Sequence, residues 1–274
     1  MAIPIPRDPG IDVTDVPRHW AGGSPVATAI SNGINMLFPH GERFFVRSVY
    51  HFLDQLDDPT LVAQVKAFSK QEGHHAHAHD ELNAVLRAQG FEIDRFLARY
   101  KRITSWIEKR MPPKLNLAGT AAAEHFTAIL AEGAFDKGIL DQLHPTMQKL
   151  LAWHAAEEIE HKAVAFDVLQ QVDPSYPLRI AGLAHATILL SAFWFWGAAM
   201  LLRQEKLGWR GFRRQMKGLR DGERARGDGP VITRVFLRGI RQYIRRDFHP
   251  SDNHNEHLAR AWFAAHGMAF TEAA

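Results

Sequence analysis

Four short segments of the chain carry glutamate and histidine in an order that could bind two metal ions. Single glutamates lie in GERFFVRSVYHF and AAAEHFTAIL, and Glu-x-x-His pairs lie in KQEGHHAHAH and WHAAEEIEHKAVAF. A glutamate from each of two helices and a Glu-x-x-His pair from each of two others form the ligand set of dinuclear carboxylate sites in helical bundles. In chain order, the candidate ligands are Glu42, Glu72, His75, Glu124, Glu158 and His161.

The spacing within each Glu-x-x-His pair suits a metal ion. Residues three apart on a helix project from the same face, and carboxylate oxygen and imidazole nitrogen both bind divalent transition metals. His154 lies four residues before Glu158 on the same face, so it adds a third histidine to the candidate ligands. His79 lies one turn after His75, and we expect it to orient a ligand through a hydrogen bond.

The apolar pattern around the four segments places the glutamates on the buried sides of their helices. Glu72 and His75 fall in step with apolar residues that recur every three or four positions, and the other three glutamates do the same. Four buried carboxylates without cations would be costly, so the sequence favours a metal site over solvated helix faces. A helix rotated by one residue would present His74 and Glu157 instead.

The segments that carry these residues resemble two families. The ligand segments alone are similar to those of the ferritin-like di-iron N-oxygenases, of which p-aminobenzoate N-oxygenase is the best known. This resemblance includes the third histidine. Over roughly residues 25–255, a bacterial family described as "predicted metal-dependent hydrolase" resembles the chain in LFPHGERFFVRSVYHFLDQLDDP, QEGHHAHAH, HAAEEIEHKAVAFDV and FHPSDN. The first resemblance implies oxygen activation and the second implies hydrolysis, but neither implies a substrate.

The sequence pattern along the rest of the chain predicts helices almost throughout. We predict an all-α, ferritin-like four-helix bundle with additional C-terminal helices. The predicted parts are an extended arm over residues 1–23, the metal-binding bundle over residues 24–175 and a helical extension over residues 176–274.

Three boundaries of the predicted helices can be read from the sequence. Ser24-Pro25 is typical of a helix start. The segment Pro39-His40-Gly41 is expected to end that short helix, with the first ligand helix after it. The fourth ligand helix is expected to run from Pro145 to about Asp173.

An apolar segment and a basic segment follow the predicted bundle. Residues 180–202 contain no Asp, Glu, Lys or Arg and are long enough for a membrane span. Residues 203–246 carry 14 Lys or Arg and four Asp or Glu, although the net charge of the whole chain is only +3. Three interpretations stay open for residues 180–202: a fifth bundle helix that caps the core or forms a homodimer interface, a helix on a membrane surface, and a membrane span.

We also expect residues 180–202 to line a route to the metals. The side chains expected along it are apolar, and they would favour an apolar substrate. They are Phe193, Trp194, Phe195 and Leu202.

Composition excludes several other functions. The chain has no cysteine, so it can form neither a disulfide nor a thiolate ligand. Its basic residues match no recognised nucleic-acid-binding module, and we expect no nucleic-acid partner. Residues 1–20 contain several prolines and lack the apolar run of a secretory signal, so we expect a cytoplasmic protein, with membrane association as the alternative.

Together these observations predict a metalloenzyme. We expect two transition-metal ions, iron or else manganese, that activate O2 to oxidise or oxygenate a small, apolar substrate. A reductase or a ferredoxin is the expected electron donor. The alternatives are a metal-dependent hydrolase, in which the metals activate water, and a metal-binding or structural bundle without catalytic activity.

Overall fold

A computed structural model describes residues 3–136, 138–225 and 231–270. The described residues contain no β-strand, and an isolated bridge joins Ala21 to Leu143. The all-α prediction is confirmed. In chain order, the helices are α1 (Pro25–Asn35), α2 (Phe38–Tyr50), α3 (Pro59–Ala88), α4 (Asp94–Arg110), α5 (Pro113–Asp136), α6 (Pro145–His161), α7 (Val164–Val172), α8 (Tyr176–Gln204), α9 (Trp209–Ala225), α10 (Val231–Tyr243) and α11 (Glu256–Ala265), with short 3-10 helices at Leu53–Gln55, Leu140–Gln142 and Pro250–Asp252.

Capping side chains and prolines define the start of three helices. The side chains of Ser24, Asp58 and Ser175 accept hydrogen bonds from backbone N–H groups in the first turns of α1, α3 and α8. Proline occupies one of the first two positions of each helix, where its missing N–H has no partner to lose. The predicted helix start at Ser24-Pro25 is therefore confirmed.

The prediction that Pro39-His40-Gly41 separates α1 from the first ligand helix is wrong. The chain breaks earlier, at Met36 and Leu37, and α2 begins at Phe38. Proline is tolerated in the first turn of a helix, because the N–H groups there have no intrahelical partner. Glu42 therefore lies just beyond the first turn of α2, with Pro39 inside that turn.

The fourth ligand helix was predicted as continuous, and the structure divides it into two. Helix α6 ends at His161, and α7 begins at Val164. Lys162 lies at the break, and its buried amine donates hydrogen bonds to Asn255 and Glu256 from the C-terminal part of the chain. No proline or glycine marks this break, so the local sequence pattern could not predict it.

The four helices that carry the candidate ligands enclose one interior. Helix α2 packs against α3 and α5, and α6 packs against the same two helices. Apolar side chains such as Phe68, Leu117 and Phe126 are fully buried around this interior. The arrangement agrees with a bundle, while its likeness to ferritin stays an interpretation.

Helix α8 lies along α5 and α1 and contains the predicted apolar segment. A Cβ atom added to Gly182 would lie 2.4 Å from the backbone of Ala118, and one added to Gly33 would lie 2.9 Å from the backbone of Ala198. The helices therefore approach closely because these positions have no side chain. This packing agrees with the interpretation of α8 as a helix that covers the core.

The opposite face of α8 is apolar but exposed. Ile188 is 66% exposed and Phe195 is 62% exposed. In the described part of the chain, α8 is the one helix long and apolar enough to cross a membrane, and a third of its most apolar stretch, 33%, is buried in the protein. A buried core helix passes the same test, so the homodimer, the membrane surface and the cytoplasmic location stay predictions.

The N-terminal arm lies against the helices. Val13, Val16 and Trp20 are buried with Leu82 of α3 and Trp153 of α6. The arm thus contributes to the packing around both helices that carry a Glu-x-x-His pair. The division into an arm, a bundle and a C-terminal extension stays a prediction.

Candidate metal centre

The structure brings the predicted ligands together in the interior between α2, α3, α5 and α6. The Nε2 atom of His161 lies 3.2 Å from Glu72 Oε1 and 3.2 Å from Glu124 Oε2. These three residues come from three different helices, and all of them are almost fully buried. They form one half of the site.

The other half lies around His154. Its Nε2 atom is 2.8 Å from Glu158 Oε1 and 3.7 Å from Glu42 Oε1, so this histidine faces the same interior. The Nδ1 atom of His75 lies 3.6 Å from Glu72 Oε1 and 3.7 Å from Glu158 Oε1, between the two halves.

Two glutamates contact both halves of the site. Glu158 approaches His154 with Oε1 and His161 with Oε2, the latter at 3.5 Å. Glu72 belongs to two groups of side chains whose ligand atoms lie within 4.8 Å of one another, one with Glu124 and His161 and one with Glu42 and His75. Both carboxylates therefore lie where they could bridge two cations.

Most of the ligand atoms that face this interior have no hydrogen-bond partner. Both carboxylate oxygens of Glu42, Glu72 and Glu124 lack one, as does Oε2 of Glu158. The inward-facing nitrogens of two histidines also lack one, namely Nδ1 of His75 and Nε2 of His161. Buried polar atoms are rarely left without partners, so their convergence on one point fits a bound metal.

The carboxylates repel one another in the metal-free protein. Burial, followed by the charges of the other three glutamates, raises the pKa of Glu42 well above its usual value. Burial and the charges of Glu124 and Glu158 do the same to the pKa of Glu72. Burial and Glu158 raise the pKa of Glu124 to about 7. These carboxyls therefore take up protons more readily than ordinary glutamates, and metal binding would displace those protons.

Glu158 and His161 form a charged pair inside this cluster. Burial opposes the charge of Glu158, but His161 and the hydrogen bond from His154 outweigh it and lower the pKa of Glu158 well below its usual value. Burial likewise opposes the charge of His161, yet Glu158 and Glu124 raise the pKa of His161 well above its usual value. The surrounding carboxylates thus favour the protonated imidazole, and a metal ion would displace the proton on its Nε2.

We expect the chelated protein to lose stability as the pH rises from the ordinary glutamate pKa of 4.5 through about 7, the folded-state pKa of Glu124. Glu42, Glu72, Glu124 and His161 have raised pKa values in the folded state, so the folded chain binds more protons there than the unfolded chain. Stability from a raised pKa is lost as the pH rises through the folded-state value. Thermal melts of chelated and Mn(II)-loaded protein measure this, and the loaded protein should lose less. An equal pH dependence of both forms would contradict the assignment.

Each inward-facing histidine is oriented from its other side. His75 Nε2 donates to Glu157 at 3.0 Å, and His161 Nδ1 donates to the side-chain oxygen of Gln71 at 2.9 Å. In each contact, the histidine of one Glu-x-x-His helix binds the residue directly before the glutamate of the other. Gln71 directly precedes Glu72, and Glu157 directly precedes Glu158. Such partners fix the tautomer and the ring orientation of a metal-binding histidine.

His79 contacts the third histidine, and its orienting role stays a prediction. Its Nε2 atom lies 2.7 Å from His154 Nδ1, and its Nδ1 atom lies 2.5 Å from the side-chain oxygen of Asn35. Because His79 Nδ1 donates to Asn35, its Nε2 can accept from His154 Nδ1. His154 would then present the lone pair of Nε2 to a metal ion, in place of its hydrogen bond to Glu158. His79 also lies close enough to Glu42 and His154 to form a metal-binding group, but both of its nitrogens already have partners.

The sequence did not predict which residues contact the ligand histidines and their partners from outside the site. Arg7 of the N-terminal arm donates to Glu157 from its backbone N–H and from Nη1, each at 3.2 Å. His74, which a helix rotated by one residue would present to the site, instead faces this arm. Its Nδ1 donates to the carbonyl of Arg7. The polar residue directly before the glutamate of each Glu-x-x-His pair was the signal for Gln71 and Glu157. No local signal marks Arg7, which lies 150 residues from Glu157 along the chain.

Fold and site together define an α-helical protein whose interior carries a cluster of glutamate and histidine suited to metal. The chain matches the family described as "predicted metal-dependent hydrolase" over residues 5–254, and it belongs to that family. No curated protein and no solved structure matches it. The family prediction is thus confirmed, whereas the resemblance to the di-iron N-oxygenases has no further support.

Proposed function

We propose that this protein is a dinuclear metalloenzyme whose ligands are Glu42, Glu72, His75, Glu124, His154, Glu158 and His161. The observation that carries the proposal is the convergence of buried ligand atoms without hydrogen-bond partners. Histidines oriented by Glu157, Gln71 and His79 support it, since such contacts accompany metal-binding histidines.

The positions of the ligands suggest how they divide between two ions. Glu124 and His161 would belong to one ion, and Glu42 and His154 to the other. Glu72 and Glu158 contact both halves and would bridge the ions. His75 lies between the halves, beside both bridging carboxylates. The negative charge of the glutamates would offset the charge of two divalent cations.

The chemistry of the site has two candidates. When bound, a pair of transition metals supplies either electrons for the activation of O2 or Lewis acidity for the activation of water. The four-glutamate, three-histidine set favours iron and O2, because it extends the ligand set of di-iron carboxylate proteins by one histidine. The family description supports hydrolysis and says nothing of oxidation, so hydrolysis is the competing candidate that the experiment must separate from it.

Metal content and O2 uptake test the proposal. Protein loaded anaerobically with Fe(II) should hold two ions per chain and consume O2 in proportion to its iron content when oxygen is admitted. A Glu124→Ala variant should lose the ion on its side, and uptake should fall with it. If the iron-loaded protein consumes no O2 while the Mn(II)- or Zn(II)-loaded protein cleaves a p-nitrophenyl ester, hydrolysis replaces oxidation. A wild-type protein that binds no metal would contradict both.

A further inference from the structure

Two apolar cavities reach the candidate metal centre. The α4-side cavity lies between α2, α4, α5 and α8, touches Glu42, and has walls that include Phe45, Ile107, Leu189 and Phe193. The α6-side cavity lies between α1, α5, α6 and α8 and touches His154 and Glu158. Its walls include Ile30, Met147, Leu151 and Trp194.

The two cavities share part of their lining beside the ligands. Four side chains line both of them and form their junction: Ile34, Phe38, Thr127 and Leu130. The ring of Phe38 lies 4.6 Å from the ring of His79 and 5.0 Å from that of His154, measured between ring centres. A molecule that reached this junction would lie next to Glu42 in the α4-side cavity, or next to His154 and Glu158 in the α6-side cavity.

Helix α8 contributes to both cavities, in partial agreement with the expected route. Phe193 lines the α4-side cavity and Trp194 lines the α6-side cavity. Phe195 and Leu202 line neither of these two cavities. Phe195 is on the exposed face of the helix.

Polar side chains concentrate in the α4-side cavity, on α2, α4 and the start of α5. His40 Nε2 lies 2.8 Å from the hydroxyl of Thr104, and Glu108 and Asn116 line the same cavity. Arg47 pairs with Glu108 at 2.8 Å close by. A bound molecule thus meets hydrogen-bonding groups in part of this cavity and largely apolar walls beyond them.

We infer that the substrate is an elongated, largely apolar molecule, an alkyl or acyl chain with one polar end. Its polar end would lie near His40 and Thr104, and its chain would follow the apolar walls to the junction at Phe38. This assignment rests on the proposed function, because it places a carbon of the chain beside the ligands. A small polar molecule would leave the apolar walls uncovered, so it would gain little from burial.

Chain length tests the inference on the wild-type protein. Calorimetric titration of the metal-loaded protein with dodecanoate, decanoate and octanoate should show binding that weakens about three- to fourfold for each methylene removed. The same series of n-alkanols shows whether the chain or the carboxylate dominates. Equal affinities along the series, or tighter binding of acetate than of dodecanoate, would overturn the inference.

A matched pair of variants on α8 locates the binding. Leu189→Trp should fill part of the α4-side cavity and weaken dodecanoate binding at least tenfold. Ile188→Trp, on the exposed face next to it, should leave binding within about twofold of wild type. Equal binding by both folded variants would place the chain elsewhere.

Metal content, measured on the same samples, separates this inference from the proposed function. If the protein takes up no metal on loading but still binds dodecanoate, and Leu189→Trp weakens that binding, the metalloenzyme is contradicted and the chain-binding cavity is supported. If the protein holds two ions but its affinity does not depend on chain length, the metal site is supported and the chain-binding cavity is contradicted.

Discussion

Replacing Glu158 with alanine should remove metal from both halves of the site and destabilise the metal-free protein. Glu158 contacts His154 with one oxygen and His161 with the other. Without it, His161 keeps a buried charge without its strongest partner, and breaking such a buried pair costs about 3–5 kcal/mol. Elemental analysis should find less than one ion per chain, and chemical denaturation should show the loss of stability.

The control for this variant is Glu81→Ala on α3. Glu81 is exposed and faces the exposed ring of His77 at 3.6 Å. Because surface substitutions usually change stability by about 0.5 kcal/mol or less, this variant should keep wild-type metal content. A Glu158→Ala protein that retained two ions would show that Glu158 does not bridge them.

Glu72→Gln should separate metal binding from the stability of the metal-free fold. The pKa of Glu72 is raised well above its usual value by burial and by Glu124 and Glu158, so burying this carboxylate in its charged form is costly without metal. Glutamine has nearly the same shape and carries no charge, so the melting temperature of the chelated variant should not fall below that of wild type. Glutamine is a much weaker ligand than carboxylate, so the stabilisation by metal should be lost.

The size of that loss can be estimated. Metal at about a hundredfold excess over its dissociation constant stabilises the folded state by about 2.7 kcal/mol. In a chain of this size, that corresponds to a rise of about 5–10 °C in melting temperature. Melts of wild type, Glu72→Gln and the exposed control Glu81→Gln, each with and without Mn(II), measure it. A variant that gained as much from metal as wild type would exclude Glu72 as a ligand.

The burial of the candidate ligands could be predicted from the sequence, because helical periodicity links spacing to direction. Glu72 and His75 lie in step with apolar neighbours, and the same holds for Glu158 and His161. Their burial therefore followed from the pattern around them. The third histidine, His154, followed from the same face of α6. Convergence of the four helices was the natural consequence, since each had to bury an apolar face.

The contacts around the ligands could not be read in the same way. Arg7 meets Glu157 only because the N-terminal arm folds over α3 and α6, and no local pattern encodes that contact. The break after His161 depends on Lys162 and its partners from the C-terminal part of the chain. Pro39 misled for a different reason, since a proline early in a helix and one between two helices look alike in sequence.

The apolar helix α8 shows a further limit. Its composition is compatible with a core helix, a dimer interface and a membrane helix. Gly182 lies in α8, and Gly33 lies in α1, which packs against it. The two glycines explain the close packing once the neighbouring helices are known. The exposed face with Ile188 and Phe195 keeps the question of a partner open to experiment.

Anomalous X-ray diffraction from crystals of the iron-loaded protein, recorded at the iron absorption edge, tests the central claim most directly. We predict two anomalous peaks in the interior between α2, α3, α5 and α6, one beside Glu124 and His161 and one beside Glu42 and His154. Glu72 and Glu158 should lie between the peaks. A single peak outside this interior, or iron bound only at surface histidines, would contradict the account.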